Sequence, residues 1–183
     1  IRKYHKVLKS LIDGCQSLEK SGCKFIVIPC NTAHYWYDDL KKIIKVPIIN
    51  MPKEVYLHTK KKCKKNSKIG LLATEGTLNT GVYNKFFDKD FIIIKPTKSL
   101  QTLSVNKAIK YVKMGKVKEA EKITGSAVNY LTKMKCKKII LGCTELPLVI
   151  FAYKSFKKVK LSKTYLDPNL ILAFSTMKKY KKR

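Results

Sequence analysis

An α/β fold resting on parallel sheets is what this 183-residue sequence predicts. Two observations carry the expectation. Short, continuously apolar runs of the kind buried inside parallel sheets alternate with segments of helical periodicity. In addition, one succession of helix, cysteine, strand, cysteine and threonine occurs twice, far apart in the chain.

The elements follow in order. From Tyr4 to Lys20, the residues Tyr4, Val7, Leu8, Leu11, Ile12, Cys15 and Leu18 fall on one helical face, and Gly22 ends the segment. Phe25 to Ile28 is a buried-strand run that stops at Pro29-Cys30-Asn31-Thr32-Ala33-His34, and Tyr35 to Ile44 reads as helix. A short strand near Pro47 to Asn50 precedes a helical pattern from Lys53 to Lys65. Ile69 to Thr74 is again an apolar strand, followed by Glu75-Gly76-Thr77 and a helix from Leu78 to Phe87. Phe91 to Ile94 reads as strand, Leu100 to Val112 as a helix that gives out at Gly115, and Lys116 to Met134 as a longer helix. Lys138 to Leu141 is a strand running into Gly142-Cys143-Thr144-Glu145. Asp167 is expected to cap a last helix with a lysine-rich, frayed end at 178–183.

Composition narrows the classes. At 45% apolar residues the chain can build a core, which excludes disordered and collagen-like proteins. No apolar run approaches the roughly 20 residues of a spanning helix, so no membrane partner is expected. Forty basic residues stand against 12 acidic ones, a formal charge of +28, and all the basic residues except Arg2 and Arg183 are lysines. A dedicated reader of phosphates or bases spends arginine, whose planar fork bonds bidentately. The lysines are also spread along the whole chain. They therefore read as a solvated surface rather than a specific nucleic-acid site, with nonspecific attraction to polyanions as a by-product. The six cysteines show no C-x-x-C pair and lie in a chain apolar enough to fold without disulfides, which predicts reduced thiols in a cytoplasmic protein. No secretory leader is visible.

The duplicated segment points to chemistry. Ser21 to Thr32 and Met134 to Glu145 match in layout, with Cys23 and Cys30 seven apart, as are Cys136 and Cys143. Cys23 and Cys136 open their strands and are expected to be buried as small apolar residues. Cys30 and Cys143 lie just past the carboxyl ends of theirs, where open α/β sheets place ligands. Halves facing each other about a pseudo-twofold axis would aim two thiols at one cleft. Such a pair can remove a proton from one face of a carbon and return it from the other, one sulfur as base and its opposite as acid. Asn31, Thr32 and Thr144 stand beside the sulfurs, where donors could hold a carboxylate and the developing negative charge. Thr74 and Thr77 could also donate to a carboxylate, but a helix N-cap is the simpler reading of Thr77. His34 and Glu145 could tune the neighbouring thiols or cap the helices that follow. His5 and His58 are expected to be solvated, Tyr35-Trp36-Tyr37 to pack, and Cys15 and Cys63 to be packing residues or incidental. No metal site is expected.

Pro-Cys-Asn-Thr-Ala-His at 29–34 and Gly-Cys-Thr-Glu-Leu-Pro-Leu at 142–148 resemble the two signature motifs of the aspartate/glutamate racemase superfamily, and are most similar to its aspartate racemase branch. Leu71 to Thr77, with Tyr83 six residues on, resembles that family's entry loop to the second domain. The resemblance implies two similar three-layer α/β domains with the active site at their interface, here 1–51 with 165–183, and 52–164. It implies no cofactor, a homodimer and a small amino-acid substrate, with no specific nucleic-acid partner. Cys30 and Cys143 would be the two bases, and Asn31, Thr32 and Thr144 would surround the substrate's α-carboxylate and amine. Lys113, in Lys113-Met114-Gly115, would meet its acidic side chain. In the family a first strand, a Gly-rich loop and a substrate-contacting arginine come before anything that matches Ile1, so the first domain is expected to be N-terminally truncated here. The expected activity is racemisation of an acidic amino acid, aspartate first. Glutamate racemisation, another isomerase reaction of the superfamily, or an inactive relative with a polyanion-binding surface are the alternatives.

Overall fold

The computed structural model describes residues 2–152 and 164–180. Its elements alternate as expected: α1 (Arg2–Lys20), β1 (Ile26–Val27), a 3-10 turn (Thr32–Trp36), α2 (Tyr37–Ile43), β2 (Ile48–Ile49), α3 (Met51–Lys60), β3 (Ser67–Ala73), α4 (Glu75–Thr80), α5 (Asn84–Phe87) and β4 (Phe91–Ile94). After these come α6 (Lys98–Leu100), a π-helical stretch (Gln101–Asn106), α7 (Lys107–Lys113), α8 (Val117–Lys133), β5 (Lys138–Gly142), α9 (Leu146–Ala152), β6 (Tyr165–Leu166) and α10 (Pro168–Tyr180). The residues beyond 180 in the lysine-rich tail lie outside the described residues.

Every strand pairing among the described residues is parallel. A four-stranded sheet has the order β4-β3-β5-β6, and a two-stranded sheet pairs β1 with β2. The expected α/β class with parallel sheets is therefore what the chain adopts.

The larger sheet is covered on both faces, because successive side chains of a strand point to opposite sides. Leu72, Ile139 and Leu141 face Val105, Ile109, Ala127, Val128 and Leu131 from the helices of the 101–133 region. Ile69, Leu71, Ala73 and Ile140 face the other way, onto Val55, Tyr83, Phe87 and Ile171. The register agrees, with Leu71 opposite Ile140 and Leu72 opposite Leu141. That makes three layers, helix, sheet and helix.

The small sheet buries Ile26, Ile28 and Ile48 under α1 through Cys15 and the partly buried Leu8, Leu11 and Ile12. On its other face Ile49 and Met51 meet Leu172 of α10. Adjacent residues of α10, Ile171 and Leu172, thus reach the cores of the two sheets. Strand β6, which the sequence division groups with the first unit, pairs with β5 of the larger sheet.

Several boundaries move for physical reasons. Helix α3 begins at Met51 rather than Lys53, because the Asn50 side chain accepts from the Lys53 amide and caps it. The single helix expected over 78–87 is two, interrupted at Gly81 with φ of 64°. Thr77 is not the N-cap of α4. That place belongs to Thr74, whose hydroxyl accepts from the Thr77 amide, and Thr77 is left free to point elsewhere. Asp167 caps α10 as expected, accepting from the amides of Asn169 and Leu170. Cys15 is buried in the core under α1, and Cys23, Cys63 and Cys136 are half-buried against cores. His58, expected to be solvated, is half-buried instead.

Candidate active site

Three polar clusters form where the strands end. The first grows from β1. Cys30 follows that strand and is exposed, and its carbonyl accepts from Nδ1 of His34 at 2.8 Å. Nε2 of the same ring accepts from the Met51 amide at 3.0 Å. Accepting at Nε2 fixes the ring as the neutral Nδ1–H tautomer, and burial lowers its pKa, which keeps it neutral. His34 is thus a strut between the Cys30 loop and the start of α3, not a cap. Asn31 is buried, and its Oδ1 accepts from the hydroxyl of the fully buried Tyr83 at 2.5 Å.

A second cluster joins the two sheets. Oγ1 of Thr32, from the loop after β1, lies 2.7 Å from that of Thr77 and 3.4 Å from that of Thr74. Thr74 and Thr77 are themselves 3.1 Å apart. Three hydroxyls from the ends of β1 and β3 therefore make one hydrogen-bonded knot, and together with the Asn31–Tyr83 bond they hold the loop of Cys30 against the larger sheet. Gly76 allows the approach, since a Cβ there would stand 3.3 Å from Cγ2 of Thr32.

The third cluster sits beside it. Ala73 pairs with Gly142, so Thr74 and Cys143 leave neighbouring strands at the same level. Cys143 is buried, and its thiol donates to Oε2 of Glu145 at 2.9 Å. Oε2 also accepts from the Thr144 hydroxyl at 2.9 Å, and Oε1 lies 3.6 Å from the Lys113 ammonium. Burial, then the hydrogen bond and negative charge of Glu145, push the Cys143 thiol up to about 12. The Glu145 carboxyl is held below the usual range: desolvation opposes this, but the donors at Cys143 and Thr144 and the charge of Lys113 outweigh it.

Every residue expected at the site thus falls into one of these clusters: Cys30, Asn31 and His34 in the first, Thr32, Thr74 and Thr77 in the second, and Cys143, Thr144, Glu145 and Lys113 in the third. Sequence reasoning missed the network behind the threonines. Nε2 of Gln101 donates to the Ala73 carbonyl at 2.8 Å and to Oδ1 of Asn106 at 2.7 Å, and Asn106 donates to Glu75 at 2.8 Å. Gln101 and Asn106 are the two ends of the π-helical stretch, a distortion frequent at functional sites. Tyr83 was visible only as part of a motif, and its tie to Asn31 was not. A separate cleft of about 620 Å³, lined by Leu57, His58, Tyr165, Leu170, Phe174 and several lysines, lies away from these clusters between α3, β6 and α10.

A parallel α/β scaffold carrying a cysteine just past β1 and another just past β5 defines the class of protein. A family model described as Asp/Glu/Hydantoin racemase matches residues 3–174, and the chain belongs to that family. It is 34% identical over 82 residues to the broad specificity amino-acid racemase RacX of Bacillus subtilis, covering 45% of this chain and 35% of the relative. It is 28% identical over 151 residues to a glutamate racemase of Corynebacterium glutamicum, covering 79% of this chain and 52% of that one. The chain thus spans about a third and about half of the length of these two curated relatives. Among solved structures, the aspartate racemase of Picrophilus torridus superposes with a TM-score of 0.77 at 25% identity, over 94% of this chain and 68% of that one. No helix among the described residues is long and apolar enough to cross a membrane.

Proposed function

We propose that this chain racemises an acidic amino acid, aspartate first, by exchanging the α-proton between Cys30 and Cys143 without a cofactor. One sulfur, as thiolate, takes the α-hydrogen and becomes a thiol. The electron pair left on carbon spreads into the α-carboxylate, and the opposite thiol delivers its proton to the other face and is left as thiolate. One turnover therefore exchanges the two roles, and the reverse reaction starts from the exchanged state.

The observation that carries this reading is the threonine knot, which ties the end of the strand before Cys30 to the strand beside Cys143. The hydrogen bond to Glu145 favours Cys143 as the resting thiol, the proton donor, which leaves Cys30 as the base. Tyr83 occupies Oδ1 of Asn31, so the amide nitrogen is the end of that side chain that can donate to the substrate's α-carboxylate. Thr32, Thr74 and Thr77 spend their hydroxyl protons mainly on one another and so hold the loop that carries Asn31, Thr144 donates to Glu145, and the exposed Lys113 offers a cation to the side-chain carboxylate. In this reading the chain works as two α/β domains, one built on β1 and β2 and one on the four-stranded sheet that includes β6, as a homodimer in the cytoplasm.

A second reading, glutamate as substrate, is favoured by the glutamate racemase among the relatives. The two separate on supplying L-aspartate and L-glutamate in parallel and following the D-enantiomers by chiral chromatography. Faster turnover of aspartate supports the first reading, and faster turnover of glutamate the second. Turnover of neither overturns both.

A further inference from the structure

We propose that Lys113 sets the protonation of Cys143 through Glu145, the three side chains forming one charge-linked row. The inference rests on the two-thiol reading and names how one of its thiols is controlled. Glu145 spans the other two: Oε2 takes the Cys143 thiol at 2.9 Å, and Oε1 faces the Lys113 ammonium at 3.6 Å. The row runs outward, from the buried sulfur through a carboxylate with a side chain 18% exposed to an ammonium on a side chain 63% exposed. Glu145 comes from the loop of Cys143 itself and Lys113 from the end of α7, and among the described residues these are the charged groups that act on the sulfur. The rest of the cluster around Cys143 is largely apolar, with Val105, Ile109 and Leu146 among its members.

A carboxylate that accepts from a thiol stabilises the S–H form and opposes the thiolate, and an ammonium on its far oxygen weakens that opposition. An anionic substrate group that draws Lys113 away from Glu145 would leave the carboxylate uncompensated and Cys143 more firmly protonated. The proton donor would then be fully charged when an acidic side chain is in place. Lys113 and Glu145 act here as positioning residues, through the sulfur.

The test is the rate of iodoacetamide alkylation at Cys143, read by peptide mass across a pH series. It compares wild type, E145Q, K113M and the double variant, with protection of the buried Cys15 in the same sample reporting that the fold is intact. E145Q is expected to speed Cys143 roughly tenfold near pH 8, one pKa unit being a factor of ten, and to bring its rate to a plateau at lower pH. K113M is expected to slow it about threefold, and to have almost no effect once Glu145 is Gln. Unchanged reactivity in E145Q overturns the proposal, as does an equal slowing by K113M in both backgrounds. No turnover is measured, so a chain that fails to racemise yet gives these rates loses the two-thiol reading and keeps the row.

Discussion

The Cys143 thiol donates to Glu145 across 2.9 Å, two residues along the loop that leaves β5. A buried sulfur bonded in this way holds its proton in the folded chain more firmly than in the unfolded one. Its value rises from 9.0 to about 12, by burial first and by Glu145 second. A folded value above the unfolded one gives stability that is complete below the unfolded pKa and is lost as pH rises through the folded pKa. Cys143 is therefore expected to make the fold lose stability between about pH 9 and pH 12. Urea melts of wild type and Cys143→Ala across that range check this, because the lysines titrate in both proteins and cancel in the difference.

His34 gives the opposite dependence. Burial lowers its pKa from 6.5, so the neutral ring belongs to the folded state. Stability from it is present above the unfolded value and is lost as pH falls below about 6.5 toward the folded value. Protonating Nε2 would also set a cation against the Met51 amide. His34→Gln, which has no proton to gain, is expected to flatten the acid limb of the stability curve, and thermal melts between pH 7 and pH 5 measure it.

Tyr83→Phe removes a buried hydroxyl and leaves Oδ1 of Asn31 without that donor. An orphaned buried acceptor costs about 1–3 kcal/mol. The variant should lose roughly that much in denaturant unfolding. It should also lose activity beyond what its folded fraction explains, because Asn31 is no longer oriented.

The backbone beside Cys143 is tightly packed. A Cβ on Gly142 would stand 3.0 Å from the Cβ of Ala73 and 3.2 Å from the Leu72 carbonyl, neither of which can swing away. At Gly70 the tightest contact is the tip of Leu131, at 2.9 Å. Gly142→Ala is expected to cost about 1–3 kcal/mol, the range for overpacking a core, and Gly70→Ala less. Paired unfolding curves decide, and an equal cost at both positions contradicts the difference in rigidity.

How much of this could be read in advance follows from the range of the interactions. Strands β3 and β5 were legible because Ile69 to Ala73 and Lys138 to Leu141 are apolar runs bounded by turn residues. Gly81 marked the break between α4 and α5 but lay inside a helical pattern that outvoted it. Strand β6 is two residues long, with no period of its own, and exists because Tyr165 and Leu166 pair with β5. Both cysteine loops were legible as repeated motifs. Their supports were not: Tyr83 meets Asn31 and Gln101 meets Ala73 only after the sheets are assembled. Thr77 was visible as a hydroxyl near a helix start, but its partner Thr32 lies on another strand's loop and leaves no mark in local sequence.

Deuterium exchange at the α-carbon bears most directly on the two-thiol mechanism. Incubated in D2O with L- and D-aspartate, the wild-type chain should wash deuterium into both enantiomers while interconverting them. Cys30→Ala and Cys143→Ala should each abolish interconversion, and any exchange that survives should be confined to one enantiomer, opposite in the two variants. Undiminished racemisation in either variant would contradict the pairing of these two sulfurs.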